Sequence, residues 1–209
     1  MAKKINIIAT IKDGVAIALA NYFNLAITAA LYLITIWIPY INVGTTIAMC
    51  SLPAKMAKGI ELDPLFIFES KYRRNMGEFL ILMSLMIGAI SVGMMFGIIP
   101  GVVITVAWSF ATVLFVDKDL SPLDALLKSN KMTYGNKWRI IGAELLVGLC
   151  VVIAITIVNA ICNIGSITIL QTLGALITFL IVVFAVPAAL GVEASIYSQL
   201  LDTIESEEK

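Results

Sequence analysis

The chain has no histidine, few charges and only three cysteines among its 209 residues. Each shortage closes off a class of chemistry. Without histidine, Ser–His and Cys–His nucleophile pairs, most zinc sites and haem ligation lose their commonest member. Cys50, Cys150 and Cys162 are an odd count without short spacing, each inside an apolar run. They read as small buried hydrophobes, not as a disulfide framework or a zinc site. Charged residues make up 13% of the chain and sum to zero net charge, against about 25% charged in soluble domains. With no basic tail, nucleic acid is not an expected partner. No cofactor, metal or enzymatic activity is expected either.

What the chain does have is apolar sequence: 60% of residues, with a mean hydropathy of +1.00. Its charges fall into four patches: Lys3, Lys4, Lys12 and Asp13; Lys55 to Glu78; Asp117 to Arg139; and Asp202 to Lys209. Only Glu144 and Glu193 lie deep inside apolar runs. A membrane-spanning helix needs about 20 mostly apolar residues. Six segments qualify, roughly 22–39, 41–58, 78–99, 101–117, 138–162 and 166–200. They pair through short uncharged turns at Pro39–Asn42, Gly97–Gly101 and Cys162–Ser166, where Pro removes a donor and Gly tolerates positive φ. The expected fold is all-α: a polytopic membrane protein with six transmembrane helices in three hairpins, one transmembrane domain over residues 1–209. The basic residues lie at the helix ends away from these turns. The positive-inside rule then sets both termini in the cytoplasm of a cell-membrane protein. Lys12-Asp13 interrupts the first apolar stretch, so the N-terminal segment reads as retained and not as a signal peptide.

The inner segments carry helix signals of their own. Ser121-Pro122-Leu123-Asp124 reads as an N-cap, a first-turn Pro and a capping acid. Leu123, Leu126, Leu127 and Tyr134 then recur at helical spacing, with Asp124, Lys128, Ser129 and Lys131 on the other face. This pattern predicts a cytoplasmic interfacial elbow helix. Asp63-Pro64 opens a second, with Leu65, Phe68 and Tyr72 opposite Glu69, Lys71, Arg73 and Arg74. Thr10 to Asp13 opens a third with another capping box. Each elbow ends in a polar turn followed by Phe23, Phe79 or Trp138 at near-equal spacing. Elbow, turn and hairpin thus recur as candidate pseudo-repeats over 5–60, 61–118 and 119–200. Any six-helix protein with short outer turns shows a similar pattern.

One stretch carries a more specific likeness. Gly97-Ile98-Ile99-Pro100-Gly101 is followed by Phe115-Val116-Asp117, by Ser121-Pro122-Leu123-Asp124-Ala125-Leu126, and by Ser129 to Lys137. The region from Pro39 to Arg139 resembles the domain-of-unknown-function 975 family of bacterial membrane proteins. It is also similar to the membrane domain fused to some glycerophosphodiester phosphodiesterases. A weaker likeness extends to Pro187 and to Ala194-Ser195-Ile196-Tyr197. The resemblance implies a multi-pass membrane fold and no particular chemistry. The phosphodiesterase catalytic domain, with its acids and histidines, has no counterpart here.

The candidate site residues each admit two readings. Glu144 and Glu193 fall in the inner half of the membrane, where a carboxylate costs about 2.5–3.5 kcal/mol at the bilayer centre. They form a proton- or cation-binding pair, or they snorkel and bond to nearby hydroxyls. Pro187 marks a transporter-like broken helix or a packing kink. Gly93 and Gly97 form a GxxxG, and Gly191 and Ser195 a small-xxx-small pair, for packing within the bundle or between protomers. Asn159 and Asn163 line a polar pocket or cap a helix end. Lys71, Arg73 and Arg74, with Lys128 and Lys131, anchor to lipid headgroups or dock a partner. Met83, Met86, Met94 and Met95 supply adaptable packing. The expected function is a non-enzymatic accessory, assembly or transport-associated membrane subunit. Its expected partners are the lipid bilayer and either a membrane-protein partner or a homo-oligomer. The alternative is a small-molecule or proton-coupled transporter, or a substrate-binding membrane subunit, using Glu144 and Glu193. The six-span outline also looks like the substrate-binding subunits of energy-coupling-factor importers, which lack the elbow helices.

Overall fold

A computed structural model describes residues 5–162 and 168–207, and these contain helices and no strand. Residues 163–167, including Asn163 and most of the third predicted outer turn, lie outside them, as do Lys3, Lys4 and Lys209. Helix α1 (Ile7–Ala20) is capped by Asn6, whose Oδ1 accepts from the Ala9 amide at 3.4 Å. The predicted cap at Thr10 is therefore one turn late. Asn outranks Thr as a cap, and Thr10 lies buried inside the helix, its hydroxyl donating to the Asn6 carbonyl at 2.8 Å. Asn21 ends α1, and α2 (Tyr22–Thr35) leaves it at 76°. Helix α3 (Ile41–Cys50) returns, bonded to α2 by Thr35 and Thr45 hydroxyls at 3.2 Å and by Tyr32 and Thr46 at 3.2 Å. After Ser51 comes α4 (Leu52–Ala57), with Pro53 in its first turn.

The second elbow is not one helix. Asp63 caps a 3-10 helix, Pro64–Phe68, and extended Glu69 separates it from α5 (Ser70–Arg74). Phe66, Ile67 and Tyr72 are buried while Leu65 is exposed. The predicted face of Leu65, Phe68 and Tyr72 is wrong because three residues per turn, followed by a break, shift the phase. Helix α6 (Met76–Phe96) turns into α7 (Ile98–Ala107) through Gly97 alone, whose φ of +145° excludes side chains. Helix α8 (Ala111–Asp117) continues α7 after a break. Then follow α9 (Pro122–Thr133), α10 (Lys137–Cys162) and α11 (Thr168–Glu207).

The Ser121 cap stands as read: its Oγ accepts from the Asp124 amide at 3.2 Å and donates to the Asp124 carboxylate at 2.7 Å. Ser129 does not lie on an outer polar face. It is buried, and its hydroxyl donates at 2.9 Å to the Ala107 carbonyl. The α7–α8 break frees backbone groups, and a buried carbonyl needs a donor. Leu123, Leu127 and Tyr134 are exposed instead.

Among the described residues, four helical stretches are long and apolar enough to cross a membrane: Met76–Phe96, Ile98–Asp117 (α7 with α8), Lys137–Cys162 and Leu170–Asp202. The bent pair α1–α2 makes a fifth if it is one span. The first predicted hairpin is where the count differs. Its helices α2, α3 and α4 have 14, 10 and 6 residues, each short of the ~20 needed to span. Pro187 does not break the last segment: α11 runs through it as a 40-residue helix. Neighbouring helices and local adjustment hold a membrane helix together through a proline.

The packed core gathers at the charged end. Phe66, Phe79, Leu52 and Phe115 form one cluster, and Phe110, Leu114, Ile140, Ile196 and Tyr197 a second. Burying such side chains from water contributes about 1.5–3 kcal/mol each. Lipid tails supply no comparable force between helices. Accordingly the other end is sparse: over residues 147–161 of α10 and 171–186 of α11 only Gly174 is buried. Cys150 is exposed there, contrary to the expectation of three buried cysteines. It sits on an exposed face of α10.

Candidate functional site: a cavity at the charged end

Three stretches distant in sequence meet around Asp117. Its carboxylate pairs with Lys58, just past α4, and its Oδ2 accepts from the Tyr197 hydroxyl of α11 at 2.8 Å. Two residues on, Asp119 adopts a left-handed φ of +49° and accepts from Asn75 Nδ2 at 3.0 Å. Asp tolerates that conformation better than most residues. Asn75 is the elbow between α5 and α6. The ends of α4 and α5 are thereby both tied to the end of α8.

Against these ties lies a cavity of about 760 Å³. Its polar walls are Ser51, Lys55, Lys71, Tyr72, Arg74 and Asn75, with Glu78, Asp117, Asp119 and Ser121 facing them. Ile47, Ile60, Phe115, Val116 and Leu120 form the apolar side. Ser51 and Tyr72 hydroxyls meet at 3.3 Å and are buried. The Lys55 ammonium sits 3.6 Å from the centroid of the Phe66 ring, a cation–π contact. Lys71 pairs with Glu69, and that hydrogen bond raises the Lys71 pKa above its ordinary 10.5. Among the described residues, Lys55 and Arg74 have no carboxylate partner.

The other candidate residues are dispersed. Arg73 is turned away from the cavity: its Nη1 donates to the Phe68 carbonyl at 3.2 Å and its stem packs over Gly44 of α3. Lys128 and Lys131 lie on α9, Lys131 exposed. Gly93 faces Gly101 and Ile104 across the α6–α7 hairpin, and Gly97 is the turn itself. Gly191 abuts the Gly14 carbonyl and Ala18, so that α1 and α11 touch backbone to backbone. Ser195 is buried on the same seam and accepts from Gln199 at 3.3 Å, which also donates to Thr10 at 3.0 Å. Asn159 donates to the Ile155 carbonyl at 2.9 Å and lies exposed on α10.

Glu144 and Glu193 are brought within electrostatic reach of one another, and Glu193 also within reach of Cys50. Glu144 is exposed on α10 and Glu193 is half-buried on α11. Neither lines the cavity. Among the described residues no group of three or more His, Cys, Asp or Glu side chains is placed to hold a metal ion. Sequence reasoning singled out Lys71 and Arg74 but missed Lys55, Asp117 and Tyr197. Asp117 carried the signal of an acid closing a long apolar run, while Lys55 and Tyr197 entered only as part of a charge patch and of the weaker likeness. Comparison with family models, curated proteins and solved structures finds no match to this chain.

Proposed function

We propose that the chain is a non-enzymatic multi-pass membrane protein that acts as an accessory or assembly subunit through its cytoplasmic end. In this reading six spans form three hairpins, with α3 and α4 together serving as a short span of about 25 Å. A likeness to the uncharacterised family named above belongs to the same reading. The observation that carries it is the concentration of packing, fixed charge and the cavity at one end, with Lys71 and Arg74 of the second elbow in the cavity wall. Each basic residue near an anionic leaflet adds about 1 kcal/mol of attraction, so the elbows seat that end against the membrane. A photo-crosslinking residue at position 71, 127 or 131 is expected to capture discrete membrane-protein adducts in native membranes. Capture confined to positions 149 and 153 on α10, with none at the elbows, would sink the reading.

A second reading is proton-coupled or ion transport. It is favoured by one observation, the proximity of Glu144 and Glu193 without hydrogen-bond partners among the described residues. Glu193→Gln in proteoliposomes is then expected to abolish proton flux; a flux equal to wild type removes this reading.

A further inference from the structure

We infer that the cavity at the charged end binds the phosphodiester headgroup of an anionic lipid from the adjoining leaflet. The inference rests on the membrane placement in the reading above and not on the accessory role. Its first support is level. Asn75 and Glu78 flank the start of one membrane-length helix, and Phe115 to Asp117 end another. A cavity bounded by two span ends sits at headgroup depth.

Its second support is charge. Three basic and three acidic side chains line the cavity. Asp117 is held by Lys58 and Tyr197, Asp119 by Asn75, and Lys71 by Glu69. Lys55 and Arg74 are then the two cations without a carboxylate partner, and they share the cavity with Glu78 and with Asp119, whose charge the neutral Asn75 amide does not cancel. An arginine offers a planar fork to two phosphate oxygens, and a lysine a point charge to a third. The Phe66 ring holds the Lys55 ammonium in place without neutralising it. Glu78 is positioned to accept from a headgroup hydroxyl or amine.

Its third support separates a lipid from a free phosphate. The wall of Ile47, Phe115, Val116 and Leu120 is apolar and continuous with the core, and Ile60 extends it at the surface. A bare phosphate leaves it uncovered, whereas the glycerol and first acyl carbons of a lipid lie against it. The volume of about 760 Å³ suits a headgroup with its glycerol.

The test uses the full chain in nanodiscs of equimolar phosphatidylglycerol and phosphatidylcholine, with bound lipid read by native mass spectrometry after gentle detergent release. Wild type is expected to retain phosphatidylglycerol selectively. Lys55→Gln and Arg74→Gln each weaken retention by about tenfold, the loss of one charge-assisted contact. Lys55→Arg keeps most of it, and Lys12→Gln, on an exposed face of α1, changes nothing. Equal retention of both lipids by wild type overturns the proposal, whatever the variants do. Full displacement by millimolar inorganic phosphate, with phosphate alone binding as tightly, overturns the lipid as the source of the anion. A chain that enters nanodiscs but selects no lipid defeats this inference alone. A chain that does not enter them defeats the membrane reading as well.

Discussion

Asp117 is the residue on which the charged end turns. Its carboxyl side chain is only 9% exposed, yet it meets a lysine and a tyrosine hydroxyl from two other segments. Removing one partner of a buried charged group costs about 1–3 kcal/mol. Tyr197→Phe is therefore expected to lower stability by about 1–2 kcal/mol, seen as a lower denaturation midpoint in detergent, with the apolar packing of the ring against Phe110 retained. A midpoint equal to wild type would show that Lys58 alone satisfies the acid. Lys71 makes a contrasting case. Its hydrogen bond to Glu69 raises its pKa, so any stabilisation from the pair is fully present below pH 10.5 and fades as pH climbs through the folded value. Both side chains are largely exposed, so Glu69→Gln is expected to leave the midpoint at pH 7 almost unchanged.

At the scale of elements, the elbows do more than lie on a surface. Helix α9 inserts Ser129 to donate to the carbonyl left open between α7 and α8. Ser129→Ala is expected to cost about 1–2 kcal/mol and to speed amide exchange in α8, while Lys131→Ala on the exposed face does neither. The same elements show what was readable beforehand. The polar turns at Asn21, Asn75 and Asn136 mark true helix ends, because a short polar residue at a break is a local signal. So does the Ser121-Pro122-Asp124 cap. The broken first hairpin was not readable, since its residues are as apolar as a span and only their helix lengths differ. Nor was the cavity, whose walls run from Ile47 to Ser121 and meet only through tertiary ties. The seat of Gly14 on Val192 was equally hidden: a lone glycine in a helix signals nothing until its partner is known. Gly191→Leu would drive a side chain into the α1 backbone. It is expected to destabilise by about 3 kcal/mol or more, whereas Gly148→Ala, with open space around it, is tolerated.

For the whole molecule, a packed charged end and a sparse apolar end give the bundle a direction along its axis, and the proposed membrane reading places the charged end inside. In a background lacking Cys50, Cys150 and Cys162, Asp119→Cys is expected to react with impermeant maleimide only after the inner face is opened. Ile99→Cys, at the α6–α7 tip, is expected to react from outside in intact cells. The reverse pattern would invert the orientation. The first and last described helices also meet at the charged end. Ile5 donates its amide to Asn136 and gives its carbonyl to Arg139, while α1 lies along α11 through Gly14 and Gly191. This seam has a consequence for the order of synthesis. Helix α1 is synthesised well before the residues that seat it, Gly191 to Gln199. While the residues between them are being made, α1 exists without its seat, its glycine face awaiting a partner the ribosome has not yet released.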